Sequence, residues 1–410
     1  MKIHLITNLF YPDELAGAAL FTDMALYFKE RGDDVRVTTT FSYYPAWKVR
    51  PQDRGLRLRD EIFEGIPLRR LWMYVPERPS SLHRILSDLS FFRSLVTKAS
   101  SRDWQPDVVV TASPMLSQCL AQRFLYVGKK IPRLIVVQDF VVDAALELKI
   151  LNVPAFKNVL FWIERWAFES AATLVTISPK MLDKLRSKVG KNKHTILVPN
   201  WIHKSLSLEI QRQHTQPLQA RSAATLLYSG NVGAKQGLGD FVKDFNQQDT
   251  GWLLNIHGGG AEAAVLRAQA MKMRFVKVAG VLDEKEYIAG LRRTTACLIT
   301  QRPGVGANFL PSKLLPALAT GTPVLAVCEP SSPLGMEVIA GGFGEVVEPG
   351  DAARIVEVLR SWSANPEVLA QMSCRALDRS SLYTREKILG DYVRELNKLT
   401  GKTQMASEEP

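Results

Sequence analysis

Cysteine is scarce in this 410-residue sequence, and its four cysteines are far apart. No two of them have the spacing of a zinc site or a dithiol redox pair, so we expect reduced thiols in a cytoplasmic protein. The six histidines form no HExxH-type pattern. Long apolar runs are also missing: no segment approaches the ~18 residues of a membrane span. The apolar stretch near the N-terminus is too short and too interrupted for a signal peptide.

Two phosphate-binding signatures are absent as well. The sequence has no GxxxxGK[ST] segment, which argues against ATP hydrolysis by a P-loop enzyme. The GxGxxG fingerprint of dinucleotide-binding domains does not follow the first predicted strand. Any phosphate site in this chain must therefore be built from other loops.

Positive charge is in excess and unevenly distributed. The net charge is +11; residues 1–202 hold 29 basic and 20 acidic side chains, whereas residues 203–410 hold 23 and 21. A basic N-terminal half indicates nucleic acid, acidic lipid or a phosphorylated substrate as partner, unless it is only a solvated basic face. We rank nucleic acid last, and expect no such partner, because no recognition motif accompanies the charge.

Strand-type and helix-type segments alternate along most of the chain. Short β-rich runs such as KIHLIT, DVVVTA and RLIVVQ occur in the first half, and ATLLYSG, ACLIT and PVLAVCE in the second. The alternation predicts an α/β chain of two Rossmann-like domains, each a doubly wound parallel sheet. The segment 56–75 differs and predicts a β-hairpin that turns at Glu64 and Gly65.

Domain boundaries are placed where the alternation weakens. A polar stretch without strong periodicity indicates an interdomain linker. The predicted organisation is an N-terminal domain over 1–202, a linker over 203–222, a C-terminal domain over 223–382, a helix over 383–401 that packs back on the N-terminal domain, and a disordered tail over 402–410.

Three glycine-bearing loops follow predicted strands. Open α/β sheets bind ligands at the carboxyl ends of their strands, where glycines let backbone N–H groups approach an anion. The loop NLFYPDELAGAA contains Gly17, the loop YSGNVGAKQGLGD contains Gly230 and Lys235, and QRPGVGANFLPSK contains Arg302 and Lys313. One such loop is as often a plain turn. Three at corresponding strand ends predict a diphosphate site.

The segment LPSKLLPALATGTP predicts a helix that begins near Ser312. Ser312 is a good N-cap residue, so Ser312 and Lys313 are either an ordinary cap with a solvated lysine or a phosphate-binding pair. Pro316 falls in the first turn, where it removes at most the hydrogen bond to the Ser312 carbonyl, so we expect the helix to tolerate it.

Residues 78–102 predict a basic amphipathic helix. Its apolar stripe comprises Leu82, Ile85, Leu86, Leu89, Phe92 and Val96, widened by Phe91 and Leu95 and surrounded by Arg84, Arg93, Lys98 and Arg102. Such a helix suits contact with an anionic membrane surface. The alternative is a core-facing helix with a solvated basic side.

Taken together, these segments resemble the retaining glycosyltransferases of family 4. The resemblance covers nearly the whole chain and rests on FYPDELAGAALFTDMALYFKERGDDVRV, VTISPKM, ILVPNWI, LLYSGNVGAKQGL and LPSKLLPALATGTPVLA. The GN.G..QGL loop, the PSKL segment and VQDFVVDAALELKIL are most similar to bacterial exopolysaccharide enzymes of the colanic-acid type.

The resemblance implies the GT-B fold, in which two Rossmann-like domains face each other across a cleft. It implies transfer of a sugar from a UDP- or GDP-linked donor, with retention of the anomeric configuration, in exopolysaccharide or capsule biosynthesis. The acceptor would be a lipid-linked saccharide or an oligosaccharide. The protein would be cytoplasmic and peripheral on the inner face of the cytoplasmic membrane.

The resemblance also implies roles for individual residues. Lys235 would bind the donor diphosphate, and Asp139 of VQDF would orient the acceptor or the reacting sugar unless it is a helix cap. The donor-binding residues it implies are Gly17, Gly230, Asn231, Lys235, Gln236, Gly258, Arg302, Pro311, Ser312, Lys313 and Leu314; the catalytic ones are Asp139, Lys235 and Asn308. No DxD motif is present, so we expect basic side chains to stabilise the leaving group without a metal ion or cofactor.

The chain departs from the family pattern in its carboxylates. Many members have two glutamates eight positions apart before the Gly-Thr-Pro turn, and here those positions hold Asn308 and Pro316. The arginine common after the SG of the second domain is Asn231. Two alternatives stay open: a partner subunit that binds sugar nucleotides without turnover, and a nucleotide-sugar 2-epimerase. The epimerase is disfavoured because it needs carboxylates in the cleft.

Overall fold

Both halves of the chain are built on parallel β-sheets. The computed structural model describes residues 1–13, 16–44, 46–77, 80–100, 103–113, 115–140, 142–143, 154–214, 224–306 and 310–402. The chain divides into two compact units. Unit 1 comprises Met1–Asn200 and the chain from Glu386 onward, and unit 2 comprises Trp201–Arg385.

Unit 1 contains an eight-stranded sheet. Its strands are β1 (Lys2–Ile6), β2 (Asp34–Thr40), β3 (Leu58–Phe63), β4 (Ile66–Leu71), β5 (Val108–Ala112), β6 (Arg133–Val137), β7 (Thr173–Thr176) and β8 (Thr195–Leu197). Its helices up to residue 200 are α1 (Ala16–Glu30), α2 (Ser81–Lys98), α3 (Leu116–Ala121), α4 (Pro154–Glu169) and α5 (Pro179–Val189). The strand order is β3-β4-β2-β1-β5-β6-β7-β8. Every neighbouring pair is parallel except β3 and β4.

The exception is the predicted hairpin, which is confirmed. Strands β3 and β4 pair antiparallel and turn at Glu64 and Gly65, whose φ angles are 48° and 73°. Glycine adopts positive φ without strain, which suits it to the second turn position. The central strands β1, β5 and β6 are buried almost throughout, as expected for parallel strands covered on both faces.

Unit 2 contains a six-stranded sheet whose neighbouring strands are all parallel. Its strands are β9 (Thr225–Ser229), β10 (Leu253–His257), β11 (Val276–Ala279), β12 (Ala296–Thr300), β13 (Val324–Val327) and β14 (Gly344–Val347), in the order β11-β10-β9-β12-β13-β14. Its helices are α6 (Lys204–His214), α7 (Leu238–Gln247), α8 (Ala263–Ala270), α9 (Glu284–Arg293), α10 (Leu314–Ala319), α11 (Pro333–Gly341), α12 (Ala352–Ala364) and α13 (Pro366–Ser380).

Helices cover both faces of the unit 2 sheet. Leu226 and Tyr228 of β9 belong to one buried apolar cluster, whereas Leu227, between them, belongs to another. Successive side chains of a strand point to opposite faces, so a strand buried on both sides must be apolar throughout. The predicted α/β class with two parallel-sheet domains is confirmed.

One part of the predicted linker is helical. Residues 203–222 were expected to be linker, but α6 occupies Lys204–His214. Ile202, Leu206 and Ile210 recur every four residues and are buried in unit 2, so α6 is held by packing. Its other side chains are mostly polar, which hides the period in the sequence. Residues 215–222 lie outside the described chain.

The chain returns to unit 1 at its end. Helix α14 (Arg385–Thr400) places the buried Glu395 where its carboxylate accepts a hydrogen bond from the Thr173 hydroxyl at 2.7 Å. Lys402, at the start of the predicted tail, forms a 2.6 Å ion pair with Asp107. Residues 403–410 lie outside the described chain.

Helix α2 differs from its prediction on one side. Phe91 and Leu95 are fully buried in the core of unit 1, so they do not widen an exposed stripe. Leu82, Ile85, Leu86 and Leu89 are exposed, as a surface stripe requires; Arg102 lies outside the described residues. Within the described ranges, no helix combines the length and the apolar character needed to cross a membrane.

Candidate functional site

The glycine loops after β9 and β10 interlock backbone to backbone. The N–H of Gly230 donates to the His257 carbonyl at 2.9 Å, and the N–H of Val232 donates to the Gly259 carbonyl at 2.8 Å. A Cβ on Gly258 would lie 2.0 Å from the Gly230 carbonyl oxygen. Gly258 must therefore be glycine for the two loops to approach this closely.

Lys313 lies next to the first of these loops. Its ammonium nitrogen is 3.5 Å from the centre of the Tyr228 ring, and a Cβ on Gly230 would meet that nitrogen at 3.2 Å. The Tyr228 hydroxyl donates to the Asn231 carbonyl at 2.6 Å. The tyrosine thus holds both the lysine head group and the loop that faces it. An ammonium over a tyrosine ring is attracted by the negative face of the ring.

The environment of Lys313 disfavours its charge. Burial lowers the pKa of Lys313 from 10.5 to about 7, with a smaller opposing effect of the nearby Cys297. Burial raises the pKa of the Cys297 thiol to about 12, so this thiol stays neutral. No carboxylate of the described chain forms an ion pair with Lys313. Among the described residues, Lys313 therefore has no anionic partner for the charge that it carries when protonated.

Ser312 does not cap the helix, so of the two alternatives left open for this serine the ordinary cap is wrong. Helix α10 begins at Leu314, its N-cap is Lys313, and no side chain makes a capping hydrogen bond. The Leu314 N–H is engaged with the Pro311 carbonyl at 3.2 Å, so it is already paired in a turn. Pro316 is the third helical residue, where an N–H has no partner within the helix. Helix α10 tolerates it, as predicted.

Arg302 and Lys235 are brought together through the backbone. The Arg302 N–H donates to the Lys235 carbonyl at 2.9 Å, which joins the loop after β12 to the loop after β9. Asn231 and Gln236 are linked by a 3.2 Å side-chain hydrogen bond. Gly237 ends this loop with a left-handed φ of 62°, which only glycine adopts freely, and begins α7.

The predicted unit 2 residues thus meet at one edge of the sheet. Strands β9, β10 and β12 are parallel, so their carboxyl ends lie side by side. The predicted residues at this edge are Gly230, Asn231, Lys235, Gln236, Gly258, Arg302, Pro311, Ser312, Lys313 and Leu314. The Arg302 side chain is exposed, and Lys235 and Lys313 are half-buried. The edge presents three basic side chains and interlocked glycine loops.

The other predicted residues lie elsewhere in the chain. Gly17 is in the first turn of α1 in unit 1, and a Cβ there would meet nothing within 4 Å. Asp139 follows β6, also in unit 1 and half-buried. Next to it, Gln138 and Asn200 exchange two side-chain hydrogen bonds of 2.8 and 2.9 Å, which join the ends of β6 and β8. Asn308 lies outside the described residues.

Two residues of the unit 2 edge were not predicted. The Tyr228 ring contacts the Lys313 ammonium group. The carboxylate of Glu329, after β13, accepts a hydrogen bond from the Gly304 N–H at 3.2 Å. Tyr228 could have been noticed as a polar-tipped aromatic two residues before the glycine loop. Nothing in the sequence links Glu329 to Gly304.

The chain is similar in sequence and in structure to known proteins. Residues 17–201 match the sequence profile of the glycosyl transferase 4-like domain. The matched segment makes up most of unit 1, and the predicted family resemblance is confirmed. A relative with a curated description, WcaI of Escherichia coli (strain K12), is assigned to colanic acid biosynthesis as a glycosyl transferase. It is 28% identical over 93% of this chain and 98% of its own length.

Solved structures extend the likeness beyond the glycosyl transferase 4-like domain to the whole chain. Sucrose-phosphate synthase from Thermosynechococcus elongatus is 16% identical, with a TM-score of 0.75 over 98% of this chain and 100% of its own. Anabaena Alr3699/HepE, solved with UDP and glucose, is 12% identical, with a TM-score of 0.65 over 97% of this chain and 99% of its own. These likenesses show the fold, and it is the GT-B fold of glycosyltransferases, as predicted.

Proposed function

We propose that the chain is a retaining glycosyltransferase that moves a sugar from a UDP- or GDP-linked donor to a lipid-linked saccharide in exopolysaccharide or capsule biosynthesis. The observation that carries the proposal is the position of Lys313. Its ammonium group lies beside the Gly230 loop at the carboxyl edge of the unit 2 sheet, without a carboxylate partner in the described chain. Such a cation is well suited to an anionic phosphate.

The related proteins support a nucleotide-diphosphate donor and a polysaccharide product. Alr3699/HepE was solved with UDP and glucose, and WcaI is assigned to colanic acid biosynthesis. Both relatives match nearly the whole of this chain. The donor would lie where the carboxyl ends of the unit 2 strands meet, as ligands do in open α/β sheets.

In this proposal the basic edge acts on the leaving group. Negative charge grows on the nucleotide diphosphate as the bond to the sugar breaks. Lys313, Lys235 and Arg302 would stabilise that charge, and fixed charges aimed at a developing anion are usually the largest contribution to catalysis. Three cations suffice to neutralise a diphosphate, so we propose that no metal ion or cofactor takes part.

Two residues are proposed to act at the reacting sugar. Asp139, which follows β6 in unit 1, would orient the acceptor or the transferred sugar. Asn308 would hydrogen-bond the sugar at a position where many relatives have a glutamate. Pro316 cannot supply the second carboxylate, so the nucleotide must be held by other contacts.

The acceptor is proposed to reach the protein from a membrane surface. The exposed stripe of α2 consists of Leu82, Ile85, Leu86 and Leu89, and Arg84 and Arg93 on the same helix are exposed as well. An apolar stripe flanked by arginines lies favourably in the interface of an anionic bilayer. A saccharide on a lipid diphosphate would be presented at that interface, on the cytoplasmic side.

Calorimetric titration of the whole chain with UDP, GDP and their sugar conjugates tests the donor site. We expect one nucleotide diphosphate to bind, and Lys313→Ala and Lys235→Ala each to weaken that binding by about 1–3 kcal/mol. Lys243→Ala is the matched control: Lys243 is an exposed lysine of α7, 4.0 Å from Asp240. It should bind like wild type. A folded wild-type protein that binds no nucleotide contradicts the proposal.

Turnover distinguishes a transferase from a partner subunit that binds sugar nucleotides without reacting them. The test is worthwhile because Pro316 lacks the carboxylate that many relatives have at this position. The assay measures release of the nucleotide diphosphate from a donor that binds, with and without a metal chelator. We expect the same rate of release in both conditions. Binding without release, in the presence of a lipid-linked acceptor mixture, would favour the partner subunit. Release that stops with the chelator would overturn the metal-independent mechanism.

A further inference from the structure

A ladder of aromatic rings runs across three segments of unit 1. Phe92 of α2 lies 5.7 Å from Phe124, which follows α3, and Phe124 lies 6.0 Å from Trp166 of α4. Trp166 stacks on Trp162, one helical turn earlier, with 6.1 Å between ring centres and 7° between planes. We call these four residues the aromatic ladder. Each step has the geometry of an aromatic pair in a protein core.

The outer part of the aromatic ladder is at the surface. Trp162 is 63% exposed and Phe124 is 42% exposed. Val159, one turn before Trp162, and Val127, three residues after Phe124, are exposed beside them. Trp162 is the most exposed tryptophan of the described chain. Monomeric proteins rarely expose a contiguous apolar surface of this kind without a use for it.

The ladder continues the exposed stripe of α2. Phe92 follows Leu89 by three residues on the same helix, so the ring lies on the same side as the stripe. The rings of Phe92 and Trp166, which are half-buried, therefore connect the exposed side chains of the α2 stripe to Phe124 and Trp162 in one band, which passes from α2 through the segment after α3 to α4. If a partner contacted α2 alone, the exposed apolar side chains after α3 and on α4 would stay uncovered.

Basic side chains lie along the band. The Arg123 guanidinium is 4.4 Å from the centre of the Trp166 ring and donates to the Trp166 carbonyl at 2.8 Å. Arg93, next to Phe92 on α2, is exposed. Residues 1–202 hold 29 basic and 20 acidic side chains, so the charge of this part of the chain also favours an anionic partner.

We propose that the aromatic ladder is a second lipid-contact element, which inserts Trp162 into the headgroup region of an anionic bilayer while the α2 stripe lies alongside. Tryptophan has an apolar body and an N–H donor, and arginine has an apolar stem and a charged head, so both suit the boundary between lipid and water. The inference rests on the proposed lipid-linked acceptor, for which two contact elements would fix the orientation of unit 1 on the membrane.

Fluorescence with brominated lipid tests the inference on the whole chain. The probes are vesicles of phosphatidylglycerol and phosphatidylethanolamine, with phosphatidylcholine vesicles as the uncharged comparison. The chain has eight tryptophans, so the contribution of Trp162 is the difference between wild type and Trp162→Phe. We expect that contribution to be quenched by brominated anionic vesicles. We also expect Trp162→Gln to weaken vesicle binding about tenfold, as loss of one buried large side chain would.

Val265→Gln is the matched control. Val265 lies on α8 in unit 2 and is 60% exposed, close to the exposure of Trp162. It removes an exposed apolar side chain outside the band and should leave vesicle binding unchanged. Nucleotide binding by each variant shows that the fold and the donor site are intact, and so keeps this inference separate from the proposed function.

Three outcomes would overturn the inference. Vesicle binding with unquenched Trp162, and no change in Trp162→Gln, would leave α2 as the sole lipid-contact element. No binding to anionic vesicles by protein that still binds nucleotide would reject lipid as the occupant and leave the donor site standing. Dimers in analytical ultracentrifugation that Trp162→Gln dissociates would show that the band joins two copies of the chain.

Discussion

The ammonium nitrogen of Lys313 lies 3.5 Å from the centre of the Tyr228 ring, between that ring and the Gly230 loop. The ring partly replaces the water that the ammonium loses, but burial still lowers the pKa of Lys313 to about 7. A bound phosphate would supply the missing negative charge. The affinity for a nucleotide diphosphate should therefore depend on the protonation of this one lysine.

The first prediction concerns pH. Above about pH 7, Lys313 of the free protein loses its proton, whereas a bound diphosphate favours the charged form. Binding must then take up a proton, and the affinity should fall by up to ~tenfold per pH unit between about pH 7 and about pH 9. Calorimetry in two buffers with different ionisation heats measures both quantities.

Lys313→Arg is the control for this dependence, because arginine stays protonated across the whole range. The variant should bind with an affinity that no longer falls with pH, whatever its affinity at about pH 7. A wild-type affinity that stays constant over the same range would show that Lys313 is charged throughout and that its surroundings do not disfavour the charge.

The same lowered pKa predicts how stability changes with pH. Between about pH 7 and the ordinary lysine pKa of 10.5, the unfolded chain carries a proton on Lys313 that the folded chain has released. Stability should therefore rise with pH in that window, relative to Lys313→Met, in which the titrating group is absent. Urea unfolding of both proteins at about pH 7 and about pH 9 measures this difference in unfolding free energy. An equal change of unfolding free energy with pH in the two proteins would contradict the prediction.

Tyr228 is predicted to position Lys313, the lysine that we propose to bind phosphate. Tyr228→Leu removes both the ring beneath the Lys313 ammonium and the hydrogen bond to Asn231, and should weaken nucleotide binding by about 0.5–2 kcal/mol. It should also lower the pH at which binding declines, because the ammonium loses its remaining favourable contact. Tyr228→Phe keeps the ring but loses the hydrogen bond to the Asn231 carbonyl. It should therefore lower the unfolding free energy by about 1 kcal/mol and leave the pH at which binding declines unchanged. Equal pH midpoints in Leu and Phe variants would deny the ring this role.

Gly258 is predicted to tolerate no side chain. The Cβ of Gly258→Ala would lie 2.0 Å from the Gly230 carbonyl oxygen, and a backbone atom cannot move aside as a side-chain tip can. We expect a loss of about 1–3 kcal/mol in unfolding free energy and a weaker nucleotide affinity, since the displaced loop faces Lys313. Gly239→Ala is the control: it lies in α7, where an added Cβ meets nothing within 4 Å. It should not destabilise the protein.

Glu395 is predicted to stabilise unit 1 from the end of the chain. Its buried carboxylate accepts the Thr173 hydroxyl at 2.7 Å and lies 3.0 Å from Nε2 of His194. Glu395→Ala leaves the buried Thr173 hydroxyl without that acceptor. It should lower the unfolding free energy by about 1–3 kcal/mol. Glu395→Gln, which keeps an acceptor oxygen, should cost less. Glu386→Ala, at an exposed position of α14, should be nearly neutral in the same urea titration.

Much of the fold could be predicted because parallel strands carry a strong signal. Runs such as VVVTA in β5 and ACLIT in β12 are buried at every position and almost entirely apolar, since both faces of each sheet are covered. Helix α6 was not predicted because its packing depends on three apolar residues, and the residues between them are mostly polar. Phe91 and Leu95 were placed on the exposed stripe of α2 because a helical period cannot tell which side faces the core.

The candidate site was predicted in its residues but not in its contacts. Glycine and lysine at the ends of parallel strands predict an anion site in an open α/β sheet, and the structure brings these residues to one edge. The failure of Ser312 to cap α10 depends on the turn between Pro311 and Leu314, which capping preferences do not describe. The contact between Tyr228 and Lys313 joins two distant segments, and no local pattern records it.

The position of α14 has a consequence for how the molecule is made. Unit 1 takes its first strand from the start of the chain and Glu395 from near the end of the described residues, with all of unit 2 in between. Domains generally fold as units during synthesis. Most of unit 2 can therefore leave the ribosome before α14 is available to unit 1. Of the two units, the one whose synthesis begins earlier is finished later.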